Sequence, residues 1–246
     1  MIRLIAMREL KSLFSMPSTW FVLAALQFIL AWFFLAGLEA FLEFQPQLAL
    51  LANPPGVTAT VGAPLFNTAA LLLMMLVPVF TMRLIAEERR NQTLALLLSS
   101  PVSDFQIALG KYTGLFMFLL LLIAPLPLML CALFFGTHLD SGLLLSNCIG
   151  LALLTSSYVA LGLYISSLTV QPIIAAIGTL AILAGLWLAD IGAPSASSWH
   201  QLSPLHHFQK FNSGLLDSGD AAYFLLFSMF FLLLAARRLR NNRIYG

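Results

Sequence analysis

The sequence predicts an all-α membrane protein. It reads as six transmembrane helices, an N-terminal amphipathic helix lying in the membrane plane, and a short crosswise helix between spans 2 and 3. Three observations carry that prediction. Of 246 residues, 60% are apolar and 9% charged, where a soluble domain carries about 25% charged residues. The apolar residues gather into six runs, most of them near the ~20 residues that a spanning helix needs. The charges fall between these runs, because a charge at the bilayer centre is costly. Residues 1–246 therefore read as one transmembrane domain, with spans at about 19–38, 64–84, 112–135, 142–166, 172–189 and 221–236.

Each element has a local reason. In residues 1–16, Ile2, Ala6, Met7, Leu10, Leu13 and Phe14 share one helical face, and Arg8, Glu9, Lys11, Ser12 and Ser15 the other, which suits a helix at the membrane surface. The segment is too polar for the apolar region of a cleaved signal, so it is expected to be retained. Pro17 punctuates, and Ser18 can cap span 1. Gln27 within that span predicts an interhelical hydrogen bond. Residues 39–63 read as a loop with Glu39, Glu43 and Pro46, and its turn signal is Asn53-Pro54-Pro55-Gly56. Pro78 predicts a kink in span 2, and Pro125 and Pro127 a bend in span 3. Span 4 carries Ser146, Asn147, Thr155, Ser156 and Ser157. Its small residues Ala152, Ser156 and Ala160 either pack closely or line a polar path, and the ordinary use of such stripes favours packing. Pro172 can open span 5, and Asp220 can cap span 6. Cys131 and Cys148 lie in apolar runs and read as small hydrophobes.

Two loops are informative. Residues 85–111 read IAEERRNQTLALLLSSPVSDFQIALGK. Asn91 can cap a helix over residues 92–99, whose Leu94, Leu97 and Leu98 form one apolar face. Pro101 ends that helix, and Ser103 with Gln106 fits a capping box that opens the next one. Such a helix either docks a partner and passes motion to two spans, or is a solvated connector whose charges only enforce topology. In residues 190–219, Ser203-Pro204 reads as a helix start and Gly214 as its stop. Leu205, Phe208 and Phe211 between them make an apolar stripe, expected to lie on or dip into the outer membrane face. His138, His200, His206 and His207 fall on this side. No cysteine or carboxylate stands at zinc-like spacing beside them, so packing or hydrogen bonding is expected and metal binding is not.

Charge sets the orientation. Eleven of the twelve Lys and Arg residues fall in the N-terminal segment, the stretch from Arg83 to Lys111, and the C-terminal tail; Lys210 alone falls on the other side. The positive-inside rule then puts both termini and the 85–111 loop in the cytoplasm. Catalytic motifs are missing. The Gly110-Lys111 pair has Phe105 and Tyr112 where a phosphate-binding loop needs Gly and Ser or Thr. There is no HExxH, no Gly-x-Ser-x-Gly and no charge in the middle of a span. The chain is not expected to be an enzyme, so any work it does draws on the energy of a partner.

Glu88, Arg89, Arg90, Thr93, Leu97, Leu98, Pro101 and Gly110-Lys111 stand where ABC-2 type permeases carry E-x-x-x-G-T-x-x-x-L-L-x-x-P and a following basic G-K. The chain resembles that family, with Gln92 in the usual Gly position. The string SPLHHFQKFNSGLLD resembles the corresponding loop of gliding-motility-type permeases, S-P-x-x-H-F followed by G-x-x-D. The resemblance implies an elbow helix before span 1. It implies a coupling helix contacting an ATPase subunit, with Glu87, Glu88, Arg89, Arg90, Thr93, Leu94, Leu97, Leu98, Pro101 and Lys111 as the coupling residues. A second, smaller coupling contact would fall in residues 166–171. It also implies an outer-loop helix carrying Ser203, Pro204, His207, Phe208, Phe211 and Gly214. The expected function is that of a permease subunit for export, lipid-linked extraction or force transmission. ATP and Mg would sit on the partner ATPase, with no cofactor on this chain. A second permease chain, identical or different, and a periplasmic-domain partner are further expectations. The setting would be the lipid bilayer of a bacterial inner membrane, without nucleic acid. The rival from another class is a non-transporting membrane scaffold, which would bring down no ATPase.

Overall fold

The computed structural model of the chain describes residues 1–48, 56–93, 102–135, 140–192 and 202–245. The described residues form helices and short turns without a strand, and six helices are long and apolar enough to cross a membrane. The N-terminal helix is Ile2–Ser15. Span 1 is Pro17–Leu48. Span 2 is one helical rod built of a π turn Thr58–Gly62, the helix Ala63–Met82, a second π turn Arg83–Glu87 and the final turn Glu88–Arg90. Span 3 is Asp104–Ile123, interrupted at Ala124 and continued by Pro125–Cys131. Spans 4, 5 and 6 are Ser141–Leu168, Pro172–Gly192 and Ser218–Tyr245. A short helix, Pro204–Asn212, precedes span 6.

The helices outrun the apolar runs that mark them. Span 1 continues through Glu39 and Glu43 to Leu48, where a loop was expected. That stretch is rich in Glu, Ala, Leu and Gln, which are good helix formers. The Asn53-Pro54-Pro55 turn signal lies outside the described residues; Gly56 follows it and accepts from the N–H groups of Ala59 and Thr60. Ser103 opens span 3 as expected: its Oγ accepts from Gln106 N at 3.2 Å, and Gln106 Oε1 accepts from Ser103 N at 3.4 Å.

Span 4 forms the centre, with spans 2, 3 and 6 around it and spans 1 and 5 at the periphery. Between lipid-embedded helices little hydrophobic force operates, so close approach and hydrogen bonds must hold the bundle. Gly162 lets span 4 meet Thr81 of span 2, and Gly150 lets it meet Phe211, with no room for a Cβ at either position. Ser156 of the small-residue stripe bonds Tyr112 of span 3 at 2.6 Å and Ser228 of span 6 at 3.0 Å. Gln27 donates to Leu122 O at 2.6 Å, in the turn that Pro125 interrupts. Span 1 presents Trp20, Phe21, Phe28, Trp32 and Phe33 outward, as a lipid-facing surface would.

At the end away from the termini, the Pro204–Asn212 helix buries Leu205, Phe208 and Phe211 and packs on span 4. Ser146 donates to Phe211 O at 2.7 Å, and Asn212 donates to Ala63 O at 2.9 Å. Gly214, at φ +87°, stops the helix. Its N–H donates to Phe211 O and the N–H of Leu215 to Lys210 O, the paired bonds of a Schellman stop. Ser203 occupies the cap position and Pro204 opens the helix as expected, although the Ser203 side chain makes no cap bond and its Oγ is buried without a hydrogen-bond partner. One expectation needs correction here. Asp217, rather than Asp220, caps span 6: it accepts from Gly219 N at 3.0 Å. Asp220 lies one turn inside, buried, and accepts from Lys210 Nζ at 3.0 Å while pairing with His207 Nδ1. His207 also stacks on Tyr223 with centroids 4.0 Å apart.

Candidate functional site

The charged end of the molecule gathers the N-terminal helix, the end of span 2, the start of span 3, the end of span 4 and the tail of span 6. Its geometry begins with Pro78. A proline inside a helix removes one ladder bond, and five residues on, span 2 widens into the π turn Arg83–Glu87. Ser166 of span 4 fills the gap that this turn opens. Its Oγ accepts from Ile85 N at 3.2 Å and Ala86 N at 3.1 Å, and donates to Met82 O at 3.2 Å. One buried hydroxyl thus satisfies three backbone groups of another span.

Span 2 then stops abruptly. Gln92 takes φ 57°, a left-handed conformation. Its N–H donates to Arg89 O at 3.1 Å and that of Thr93 to Glu88 O at 3.0 Å, again a Schellman stop. Asn91 was expected to open a crosswise helix at Gln92; it instead ends the helix of span 2. The position where the family motif carries Gly is the one that needs a positive φ. Leu94, Leu97, Leu98 and Pro101 lie outside the described residues.

Lys111 is the centre of the site. It was expected in water, yet it is 1% exposed. Its Nζ lies 2.6 Å from Glu9 Oε1 and 2.7 Å from Glu88 Oε1. The lysine of span 3 therefore ties the N-terminal helix to the last turn of span 2. Close packing makes this possible. Gly110 faces Ile5 and Gly114 faces Ala6 and Glu9, where an added Cβ would come within 2.8–2.9 Å of existing atoms. Glu88, one of the coupling residues that the resemblance implies, pairs with Lys111 within the chain.

The other charged residues divide by position. Arg89 donates to Ser167 O at 3.2 Å, which ties the stop of span 2 to the end of span 4. Arg90 is exposed. Glu87 lines a cleft of about 240 Å³ together with Arg8, Glu9, Arg83, Glu88 and Thr93, and Arg83 reaches Met16 Sδ at 3.0 Å. Among the described residues, no three His, Cys, Asp or Glu side chains converge as a metal site would require. The outer-loop residues Ser203, Pro204, His207, Phe208, Phe211 and Gly214 are gathered at the opposite end and touch none of this.

Sequence reasoning missed Glu9 and Ser166. Glu9 stood on the polar face of its helix, and the signal that could have found it is Gly110-x-x-x-Gly114 around Lys111, which lets another backbone come close. Ser166 carried no such signal. Chemically the site offers no nucleophile set against a base. It offers a stiff junction in which spans 2, 3 and 4 and the N-terminal helix are linked by charge and hydrogen bonds.

A comparison with curated proteins finds no match. A sequence profile for ABC-2 family transporter proteins matches residues 58–237, which contains spans 2 to 5, most of span 6 and both informative loops. The chain therefore belongs to the ABC-2 transporter family and is a multi-pass transmembrane subunit of an ABC transporter.

Proposed function

We infer that the chain is a permease energised by an ATPase on a separate polypeptide, which docks on the Glu87–Lys111 end and carries the ATP and Mg. The observation that supports this reading is the junction itself. Lys111 joins span 3 to span 2 and to the N-terminal helix. Ser166 and Arg89 join span 2 to the end of span 4, which leads into the 166–171 link. A push on the loop after Gln92 would reach three spans through groups that are already paired. A second permease chain completes the pore or lever, and both termini face the cytoplasm of a bacterial inner membrane. The output is export, lipid-linked extraction or force on a periplasmic-domain partner, the range associated with gliding-motility-type permeases.

Purification of the tagged full-length chain from its native membranes tests this. ATP hydrolysis should accompany the wild type and a control, Glu43→Lys, on the far end of span 1. It should be lost with Arg90→Glu, an exposed charge reversed where a partner would dock, and with Leu97→Asp. A wild-type chain that brings down no ATP hydrolysis is a scaffold. Retention of full hydrolysis by both variants would remove the docking role from this loop.

A further inference from the structure

A groove of about 520 Å³ opens at the charged end between spans 3 and 6. It falls within the ~300–1,000 Å³ usual for ligand sites. Span 3 contributes its first turn, Ser103, Asp104 and Phe105, and span 6 contributes Leu233, Ala236, Arg237 and Arg240. The four span 6 positions are spaced i, i+3, i+4 and i+7, so they form one stripe along a single helical face. The stripe is graded: Leu233 and Ala236 lie toward the middle of the span, and the two arginines lie where the helix leaves the apolar layer. Both arginines are exposed, and among the described residues neither has a carboxylate partner. They lie outside the junction around Lys111.

We propose that this groove binds the headgroup and upper acyl chain of an anionic phospholipid. Guanidinium groups meet phosphate oxygens in a matched, bidentate way. A second arginine one turn further on can hold the same phosphate. The start of span 3 adds the positive end of its helix dipole. Asp104, at that start, is the one carboxylate in the lining, beside two guanidinium groups. Phe105, Leu233 and Ala236 give the first methylenes an apolar wall. Basic pockets between spans on the cytoplasmic side bind anionic headgroups in general, and this groove lies at the end where eleven of the chain's twelve Lys and Arg residues fall in sequence. The proposal needs no ATPase.

Native mass spectrometry of the full-length chain tests it, with phosphatidylglycerol and phosphatidylcholine of identical acyl chains, and inorganic phosphate, as probes. The wild type should retain one phosphatidylglycerol under activation that strips phosphatidylcholine, and should retain no inorganic phosphate. The double variant Arg237→Gln/Arg240→Gln should lose about thirtyfold in phosphatidylglycerol affinity, at about 1 kcal/mol per surface cation removed. Arg238→Gln, about 100° around the helix from Arg237 and outside the groove lining, should behave as wild type. Equal retention of the two lipids by the wild type overturns the proposal without any variant. So does an Arg238→Gln loss equal to that of the double variant, which would mean diffuse charge attraction. Retention of inorganic phosphate alone would make the groove a free-anion site.

Discussion

Lys111 shows what one side chain does here. A lysine at 1% exposure is tolerable only because Glu9 and Glu88 flank it at 2.6 and 2.7 Å. Removing one member of a buried pair costs about 3–5 kcal/mol, since the uncompensated charges stay behind. Lys111→Met is therefore expected to lower the thermal midpoint of the purified protein sharply, because two carboxylates would then face each other. Glu9→Gln should cost less, since Glu9 keeps 19% of its side chain in contact with solvent and Glu88 still pairs with the lysine. Equal midpoints for Lys111→Met and wild type would show the ion pair to be ornamental. Glu88→Lys belongs with the destabilising changes too, since it sets an ammonium against Lys111. The Gly110-x-x-x-Gly114 spacing hints at a close approach here, but the pairing itself was not legible in the sequence. Hydropathy registers that Lys111 is charged but not what surrounds it, and its partner Glu9 lies 102 residues away.

Between elements, the informative positions are the stops. Span 2 and the outer-loop helix end in the same hydrogen-bond pattern, one around Gln92 at φ 57° and one around Gly214 at φ +87°. Gly214 could be read as a stop because glycine adopts a positive φ without steric cost. Gln92 could not, because glutamine favours helix, and the neighbouring Asn91 looked like a start. The same ambiguity misplaced the cap of span 6: Asp217 and Asp220 are three residues apart, and only the backbone shows which carboxylate meets free N–H groups. A left-handed conformation costs a residue with a Cβ about 1–2 kcal/mol, part of which glycine returns through the entropy of the unfolded chain. Gln92→Gly should thus stabilise the protein by about 0.5–1 kcal/mol, and Gly214→Ala should destabilise it by a similar amount. Thermal midpoints measured side by side would move in opposite directions. A fall for Gln92→Gly would mean that the glutamine side chain holds the stop through contacts of its own.

For the whole molecule, the six spans were legible because lipid forces every backbone group to bond within a helix, so apolar length alone reveals them. The packing order was not, because lipid-facing and helix-facing apolar residues look alike in sequence. Span 4 proved central through Ser156, which stands in the small-residue stripe read from the sequence, and through Gly150, Gly162 and Ser166, residues too ordinary to single out. Orientation rests on charge. Arg8, Arg83, Arg89, Lys111, Arg237 and Arg240 lie at one end of the bundle, and Lys210 at the other. Moving that many cations across a membrane during insertion is strongly disfavoured, so the end with the Lys111 junction should face the cytoplasm. Single cysteines test this after replacement of the exposed Cys131 and half-buried Cys148 by serine. In spheroplasts, an impermeant maleimide should label Lys210→Cys, whose side chain is 41% exposed. It should label Arg90→Cys, exposed at the stop of span 2, only after the membrane is opened. Reaction at position 90 from outside would turn the molecule over. A cytoplasmic ATPase could then no longer reach the junction around Lys111, and the proposed coupling would fall with the topology.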